Sequence, residues 1–351
     1  MNLTNQKVRL LDPRYYFDRK PSSIWDNYPR ENHKYVDFFN NYAKENYELR
    51  ELNCLCGFKN DELLLSVDRY GVEYECVICK SCGLIRAKKY MTDNYVQDFY
   101  KNHFRFVMGD LNYSSKETFF GEGSRSFQQR QLIEEIIGRK FSKESIIVDL
   151  GGGAGGFLNA FSKECDCYIV DYDETISDYA ESIGIKKING GLEDFEKLNI
   201  CPDLIISNHN IEHWTNFNKE IEILKKIAKK NKTVFYFEVP GLDNVKNGSR
   251  NFDFISEIQI PHVFYFTSYV FKNLFERNGF KNIYINPNVD SLFLYTEECR
   301  PLENYYKRTL ADILKAEMKR KSFKRNFIPA TKRLIKSLLP YSVLERIKNH
   351  L

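Results

Sequence analysis

The sequence predicts a mixed α/β fold built on a parallel sheet, and two observations indicate it. From residue 145 onward, apolar segments typical of buried strands (SIIVDL, CYIVD, PDLIISN and TVFYFEV) alternate with segments of helical character. This alternation is typical of βαβ units, whose strands lie parallel. A glycine-rich turn, GGGAGG, directly follows the first of these strands, as in doubly wound sheets that bind a ligand beyond the carboxyl ends of their strands.

Composition limits the class of protein. With 42% hydrophobic and 28% charged residues over 351 positions, the chain has the balance of a globular protein. No run of about 18 apolar residues occurs, which excludes a transmembrane helix, and no apolar leader is visible, so we expect a cytoplasmic location. Residues 315–351 contain 11 Lys and Arg against 2 Glu, whereas the whole chain carries +4; the preceding part is therefore acidic, which argues against a nucleic-acid partner.

The order of elements suggests five segments. A polar, aromatic and partly helical stretch (1–50) precedes a cysteine-rich domain (51–90), a helical linker or cap (91–140), the α/β domain (141–300) and a basic helical tail (301–351). Within the α/β domain, Thr267 and Ser268 can cap a helix that Gly279 ends, and FKNIYI and SLFLYT read as two closing strands.

The glycine-rich turn fits two ligand templates. Gly151-x-Gly153-x-x-Gly156 matches the dinucleotide pattern, and D-x-G-x-G-x-G starting at Asp149 matches sites for S-adenosylmethionine (SAM). An anionic pyrophosphate would be repelled by Asp149, whereas SAM carries an ammonium and a sulfonium, so SAM is favoured over NAD or a turn without ligand. About 20 residues on, Asp171 ends the next strand and can bind ribose hydroxyls.

These motifs resemble those of the class I SAM-dependent methyltransferases. The segment 189–194 (NGGLED) resembles the family's adenine-contacting GDLED segment, with Gly191 where an acid usually stands. The resemblance covers about residues 126–296 and implies a Rossmann-like sheet. The cofactor-binding residues that it implies are Asp149, Gly151, Gly152, Gly153, Gly155, Asp171, Tyr172, Leu192 and Asn208.

Candidates for chemistry follow the next two strands. The segment 203–214 resembles the family's DLIxxxHVLEH, which makes His209, Glu212 and His213 candidates, and His262 lies in a stretch resembling HLxxFT. A His tuned near neutrality is a suitable base for an alcohol. The alternatives are helix capping for Glu212 and His213 and a buried structural role for His262. Glu238, which ends the fifth strand, is a candidate substrate contact. Together with His209, Glu212, His213 and His262, it could also hold a catalytic Mg²⁺ or Mn²⁺.

The cysteine cluster predicts a small zinc-ribbon domain. Cys54-x-Cys56-Gly and Cys79-x-x-Cys82-Gly are separated by 22 residues, and two such knuckles can close a tetrahedral site. With four thiolates and no open position, the zinc would be structural; the alternative is a set of reduced thiols without metal. Cys76 is a spare thiol.

A cysteine-rich domain, a helical stretch and a methyltransferase core, in this order, resemble bacterial sugar methyltransferases. In that group the N-terminal part caps the SAM cleft and helps to hold the substrate, which makes Tyr100 and Arg105 candidate substrate contacts. The resemblance implies a hydroxyl of a nucleotide-activated sugar, used for a bacterial capsule or lipopolysaccharide, as methyl acceptor. C-methylation of a nucleotide-linked keto-sugar is less favoured because little chain follows the last strand. A SAM-binding protein without catalysis is a further alternative.

The tail contains two amphipathic stretches, 331–340 and 342–351. Both carry an apolar helical face, which predicts helices docked on the core or on a second subunit in a homodimer. Because the polar face is basic, a peripheral contact with anionic lipid is the alternative.

Overall fold

The computed structural model of the chain describes residues 10, 11, 13–16, 33–108 and 114–322. The amphipathic stretches predicted at 331–340 and 342–351 lie outside these residues. The strands are β1 (Leu49–Glu51), β2 (Asp61–Val67), β3 (Glu73–Cys79), β4 (Ile85–Ala87), β5 (Lys89–Met91), β6 (Ile146–Leu150), β7 (Asp166–Asp171), β8 (Lys186–Asn189), β9 (Leu204–Asn208), β10 (Val234–Glu238), β11 (Phe264–Tyr265), β12 (Phe280–Ile285) and β13 (Asp290–Tyr295).

The α-helices are α1 (His33–Asp37), α2 (Ala43–Asn46), α3 (Asp93–Asp98), α4 (Phe104–Met108), α5 (Ser115–Glu122), α6 (Ser126–Ile137), α7 (Asp178–Ser182), α8 (Leu192–Glu196), α9 (Phe217–Ile227), α10 (Asp243–Asn247), α11 (Ser268–Arg277) and α12 (Tyr306–Lys321). π-helical turns join α1 to α2 (Phe38–Tyr42) and α3 to α4 (Phe99–His103). Short 3₁₀ helices are Pro13–Tyr15, Gly123–Arg125, Gly156–Ala160, Ile211–His213, Ser249–Phe252 and Phe254–Glu257. In the described part of the chain, no helix combines the length and the apolar character needed to span a bilayer.

The main sheet has the strand order β12-β13-β10-β9-β6-β7-β8. Strands β6 to β10 pair in parallel, and β13 runs antiparallel to both of its neighbours. Because the chain moves outward from β6 to β8 and then returns to β9 beside β6, a crevice opens at the carboxyl ends of β6 and β9. This arrangement confirms the predicted Rossmann-like α/β fold.

Side chains that alternate along the strands supply a core on each face of this sheet. On β6, Val148 packs in one hydrophobic cluster and Ile147 in the other. Strands β9 and β10 are buried along their whole length, as expected for central parallel strands covered on both faces.

Most of the predicted local elements are present. Helix α11 begins after Thr267, whose hydroxyl accepts a hydrogen bond from the Val270 N–H, and ends near Gly279, whose φ is +87°. The stretch FKNIYI is β12, and SLFLYT contains all of β13 except its first residue, Asp290. After the glycine-rich turn, the chain forms a short 3₁₀ helix, Gly156–Ala160, in place of an α-helix. Glycine disfavours a regular helix, and Gly155 immediately before it takes a left-handed φ of +80°.

A smaller sheet joins the cysteine-rich region to the α/β core. Its order is β11-β4-β3-β2, and β11 comes from the core, two residues after His262. Strand β11 pairs antiparallel with β4, and the Ala87 N–H donates to the Val263 carbonyl over 2.8 Å. The division into five segments remains a prediction, and this shared sheet ties two of those segments together.

The N-terminal residues are also anchored to the core. The buried Tyr35 hydroxyl donates to Asp68 over 2.6 Å and accepts from the Ile260 N–H over 2.7 Å. The Tyr15 hydroxyl donates to Glu317 of α12 over 2.7 Å. Both ends of the described chain therefore pack against the same body.

Candidate active site

A cavity of about 350 Å³ lies at the crevice of the main sheet. Its lining combines the glycine-rich turn after β6, the end of β9 and a segment before α6. The lining residues are Gly121, Glu122, Arg125, Asp149, Gly151, Gly152, Gly153, Phe157, Asn208 and His209.

The glycines of the turn are required by the backbone. Gly151 has a φ of +64°, and a Cβ placed on it would lie 2.6 Å from Cγ of Asn210. A Cβ on Gly152 would lie 2.9 Å from Cγ of Asp149. The turn can therefore approach both β9 and a bound ligand only without side chains.

Two buried polar side chains at the cavity have no partner among the described residues. Asp149 is fully buried, and neither of its carboxylate oxygens makes a hydrogen bond; the amide of Asn208 is also without one. Burial, together with the charges of Glu122 and Asp171, raises the pKa of Asp149 well above its ordinary value. Unpaired buried polar groups are costly, so this pair indicates a polar, preferably cationic ligand.

Asp171 connects β7 to the glycine-rich turn. Its carboxylate accepts hydrogen bonds of 2.9 Å from the N–H groups of Gly153 and Asp173. Tyr172 is half-exposed, and its hydroxyl lies against Gly191, where a Cβ would come within 2.4 Å of it. The side chain of Leu192 is buried. Asp171, Tyr172 and Gly191 thus lie close together beside the glycine-rich turn, and their roles towards ribose and adenine stay predictions.

Gly155 has a different position from the other predicted cofactor residues. A Cβ there would lie 2.3 Å from Cδ1 of Ile169, which belongs to the buried face of β7. This glycine permits close packing of the turn on the sheet and is not among the cavity-lining residues.

Four cavity residues were not predicted: Gly121, Glu122, Arg125 and Phe157. Glu122 ends α5, and its carboxylate accepts a 3.3 Å hydrogen bond from the Gly156 N–H; burial raises its pKa to about 7. Arg125 forms a 3.0 Å ion pair with Glu238. The signal that could have identified them is the sequence G-E-G at 121–123, an acid between two glycines just before a helix.

His209 lies between two carboxylates at the cavity wall. Its Nδ1 is 3.6 Å from Oε1 of Glu212, and its Nε2 is 3.2 Å from Oε1 of Glu238. These two carboxylates raise the pKa of His209 to about 10. His209 is half-exposed and has a φ of +50°, a backbone strain at the turn that follows β9.

Glu238 is nearly buried at the end of β10. Its carboxylate also accepts a 3.2 Å hydrogen bond from the side-chain amide of Gln129. Burial favours the neutral acid, but contacts with His209 and Arg125 outweigh burial and hold the pKa of Glu238 below its ordinary value. Glu238 therefore lies behind His209 and Arg125, both of which line the cavity.

Glu212, His213 and His262 form a second group beside His209. Glu212 is 1% exposed, and neither of its oxygens makes a hydrogen bond within the described residues. The rings of His213 and His262 meet edge to face, with their centroids 4.9 Å apart. Burial, followed by the charge of His213, lowers the pKa of His262 well below its ordinary value. The Val263 N–H donates to the Glu212 carbonyl over 2.8 Å, which joins the two segments.

The helical segment 93–108 contacts two loops of the crevice. Tyr100, in the π-helical turn, has its hydroxyl 2.7 Å from Nδ1 of His213, after β9. Arg105 forms a 2.6 Å ion pair with Asp173, after β7. π-Helical turns within α-helices often occur at functional sites. The two predicted substrate residues of this segment are thus placed at the crevice through their protein contacts.

The four predicted zinc ligands are brought together by the turn before β2 and the turn after β3. The sulfurs of Cys54 and Cys56 are 3.4 Å apart, those of Cys54 and Cys82 are 3.5 Å apart, and those of Cys56 and Cys79 are 3.6 Å apart. All four side chains are buried, and their sulfurs lie within 4.8 Å of one another. These distances exclude disulfides and are close to the sulfur spacing of about 3.8 Å in a tetrahedron with Zn–S bonds of about 2.3 Å. The donor set fits zinc; Cys76 is not part of it.

A comparison with known protein families finds a match in the α/β part of the chain. Residues 125–285 match a family model described as a methyltransferase domain. No curated protein matches the chain. The match supports the prediction of a methyltransferase domain in this part of the chain.

Solved structures of methyltransferases share a low similarity with the chain. The plantazolicin methyltransferase BpumL, solved with S-adenosylhomocysteine (SAH) and a monoazolic desmethyl-plantazolicin analogue, is 16% identical, and the alignment covers 65% of this chain and 89% of that one with a TM-score of 0.42. The 1,6-didemethyltoxoflavin-N1-methyltransferase of Burkholderia thailandensis is 11% identical, with coverages of 58% and 86% and a TM-score of 0.39. A SAM-dependent methyltransferase of Archaeoglobus fulgidus is 15% identical, with coverages of 51% and 75% and a TM-score of 0.36.

Proposed function

We propose that this chain, a SAM-dependent methyltransferase over residues 125–285, transfers the methyl group to a hydroxyl of a nucleotide-activated sugar. The observation that carries the methyl-transfer part is the pair of unpartnered buried groups, Asp149 and Asn208, beside the His209 cluster. The pair suits the cationic end of SAM, and the cluster suits the removal of a proton from an acceptor next to it.

The residues described above would hold SAM in one orientation, with its methionine end at Asp149 and its adenine at Tyr172. Asp149 and Asn208 would bind the methionine end, with Gly151, Gly152 and Gly153 along the backbone of the turn. Asp171 would bind the ribose, although its oxygens already accept two backbone N–H bonds, because a carboxylate has about four acceptor positions. Tyr172 and the backbone of Leu192 would bound the adenine.

The methyl transfer itself needs alignment and loss of one proton. The hydroxyl oxygen of the acceptor attacks the methyl carbon in line with the sulfur, the S–CH₃ bond breaks, and SAH leaves. The acceptor proton must be released, and the carboxylates of Glu212 and Glu238, which flank His209, are the groups that can accept it, because the pKa of His209 is raised to about 10 and its ring is protonated near neutral pH. His209 lines the cavity and is half-exposed, so it would contact the acceptor directly.

The sugar assignment rests on the resemblance described above and on the contacts of the N-terminal segment. Tyr100 and Arg105 hold residues 93–108 against the loops after β9 and β7. This segment would form one wall of the acceptor site, and Glu238, held by Arg125 and His209, would form the opposite edge.

A structural zinc ion is the second part of the proposal. Cys54, Cys56, Cys79 and Cys82 would bind it and fix the turn before β2 to the turn after β3, which lie side by side because Asp61 pairs with Cys79. The turns also contact the core: Arg277 of α11 donates to the Cys56 carbonyl over 2.6 Å. The zinc would stabilise the sheet that β11 shares with this region.

The decisive experiment measures SAH release with a panel of nucleotide sugars and identifies the product by mass spectrometry and NMR. An O-methylated sugar supports the proposal, and a His209→Gln variant should then lose turnover more than SAM affinity. Exposed His33, at the start of α1, supplies the matched control His33→Gln, which should be unchanged.

Two other outcomes would contradict the acceptor assignment. A keto-sugar that exchanges deuterium from solvent and gains a methyl group on carbon would indicate C-methylation. SAM binding without turnover on any acceptor would indicate a protein that binds SAM without catalysis.

A further inference from the structure

Glu212, His213 and His262 bring three metal-binding side chains together next to His209. One ligand atom from each lies within 4.8 Å of the other two. Glu212 and His213 are in the 3₁₀ turn after β9, and His262 precedes β11; the Val263-to-Glu212 backbone hydrogen bond fixes the two segments together.

The carboxylate of Glu212 accepts no hydrogen bond from the described residues, although the imidazolium of His209 lies beside it. The nearest nitrogens, Nδ1 of His209 and Nε2 of His213, are 3.6 and 3.8 Å from Oε1, which is beyond hydrogen-bond length. Glu212 is nevertheless 1% exposed. A buried carboxylate without hydrogen bonds strongly favours a cation beside it.

The ring of His213 is held in the orientation that a metal ligand needs. Its Nδ1 is 2.7 Å from the Pro261 carbonyl oxygen, which can only accept, so Nδ1 carries the proton. In the neutral ring, the lone pair is then on Nε2, the nitrogen that faces Glu212. Histidines that bind metals commonly donate their other N–H to a backbone carbonyl in this way.

His262 is also held from outside the group. Its Nε2 is 2.6 Å from the amide nitrogen of Gln259, and the ring is buried against His213. Because an amide N–H only donates, metal binding through Nδ1 requires the Gln259 amide to turn, so that its oxygen, which has no partner among the described residues, accepts a hydrogen bond from Nε2–H. Two imidazoles and one carboxylate therefore converge in a buried space in which no hydrogen bond satisfies the Glu212 carboxylate.

We propose that Glu212, His213 and His262 bind a divalent transition-metal ion. Two nitrogen donors and one oxygen donor favour Mn²⁺, Fe²⁺, Co²⁺ or Zn²⁺ over Mg²⁺, which prefers oxygen ligands. Metal–ligand bonds of about 2.1 Å require the donors to approach each other to about 3.4 Å, a contraction that side-chain rotation can supply. Three protein ligands leave at least one coordination position open.

A role of this ion in catalysis rests on the proposed function. The ion would lie next to His209, at the cavity wall, where it would increase the acidity of an acceptor hydroxyl. This site is distinct from the cysteine cluster in donor chemistry, because four thiolates select zinc and a His₂Glu group accepts Mn²⁺.

The test is a titration of the full-length, zinc-replete protein with Mn²⁺. Electron paramagnetic resonance measures the free ion at each step of the titration. We expect one Mn²⁺ per chain in wild type and at least about tenfold weaker binding in Glu212→Gln and His262→Gln. The control His33→Gln should bind as wild type does. Circular dichroism and thermal unfolding establish that each variant is folded, and His213→Gln replaces any variant that is not.

Binding is measured without SAM or acceptor, so it is independent of turnover. Absence of Mn²⁺, Co²⁺ and Zn²⁺ binding outside the cysteine cluster, or equal Mn²⁺ binding by the folded variants, would overturn the site. Mn²⁺ binding together with no turnover on any hydroxyl would count against the proposed function alone. Full turnover by protein freed of this ion would overturn its role in catalysis and leave the O-methylation proposal in place.

Discussion

Arg105 and Asp173 form a 2.6 Å ion pair that joins the N-terminal helical segment to the turn after Asp171. Both side chains are about three-quarters buried, with 28% and 24% exposure. Four residues earlier, Lys101 makes a 2.9 Å ion pair with Glu174 in which both side chains are 59% exposed. The two pairs connect the same elements but differ in solvation.

This difference leads to a prediction for SAM binding. Arg105→Ala should weaken SAM affinity several-fold, because it frees Asp173 beside the predicted ribose position. Lys101→Ala should change the affinity by less than about twofold, since exposed ion pairs contribute about 0–1 kcal/mol. Isothermal titration calorimetry compares the two variants. Equal affinities of Arg105→Ala and wild type would show that the segment 93–108 does not organise the cofactor site.

Asp149→Asn should stabilise the free protein and weaken SAM binding. The pKa of Asp149 is raised in the folded state, so its ionisation opposes folding as the pH rises above its unfolded pKa of about 3.9. The amide removes that charge and also removes the partner of a cationic ligand. Thermal unfolding at pH 8 without SAM should show a higher midpoint, and the dissociation constant for SAM should rise at least about tenfold. Asp166→Asn, at the half-buried start of β7, is the control; a lower midpoint for Asp149→Asn would be inconsistent with this explanation.

Glu122 should make SAM binding pH-dependent. Burial raises its pKa to about 7 from an ordinary 4.5, so it is largely neutral at pH 6 and largely ionised at pH 8. Its negative charge attracts a cationic ligand, so the affinity for SAM should increase over this interval. The sign for stability is opposite: the folded state without ligand holds the proton more tightly, so this group lowers stability as pH rises from about 4.5 to 7. Calorimetry at pH 6, 7 and 8 tests the predicted rise in SAM affinity and the predicted fall in stability. The variant Glu122→Gln should flatten the dependence of SAM affinity on pH. A profile of the variant as steep as that of wild type would assign the effect to another group.

Cys82→Ser should remove one equivalent of bound zinc and lower the unfolding temperature by more than about 10 °C. Structural zinc sites contribute several kcal/mol or more to folding, and a three-thiol site holds zinc less tightly. Metal content by mass spectrometry and differential scanning fluorimetry provide the two readouts. The exposed Cys299 gives the matched variant Cys299→Ser, for which neither value should change. Equal zinc content in both variants would refute the four-cysteine site.

The sequence was sufficient for features that are encoded locally. The strand before Asp149, the glycine-rich turn and the strand that ends at Asp171 each have their own pattern within about 25 residues. Thr267 and Gly279 mark the limits of α11 in the same way. Local patterns of this kind identified the parallel sheet and the crevice at its carboxyl edge.

Other parts of the site depend on contacts that no local pattern encodes. Glu122 reaches the glycine-rich turn across 34 positions, and Tyr100 reaches His213 across 113. The pairing of β11 with β4 involves two residues only, too few to produce a periodicity. The same limit applies to the candidate ligand group, because Glu212 and His262 are adjacent only through the hydrogen bond that Val263 makes.

Strand β11 belongs to the α/β core and covers the edge of the cysteine-rich sheet. The cysteine-rich region and the core therefore depend on each other for a complete sheet. A gene fragment that ends before residue 264 would express β4 with an unpaired edge, open to self-association. A hybrid that takes residues 51–90 from one homologue and the core from another would have to match Ile85 and Arg86 to a foreign Tyr265 and Phe264. We therefore expect hybrids that exchange only one of the two regions to be less stable than hybrids that exchange both regions together.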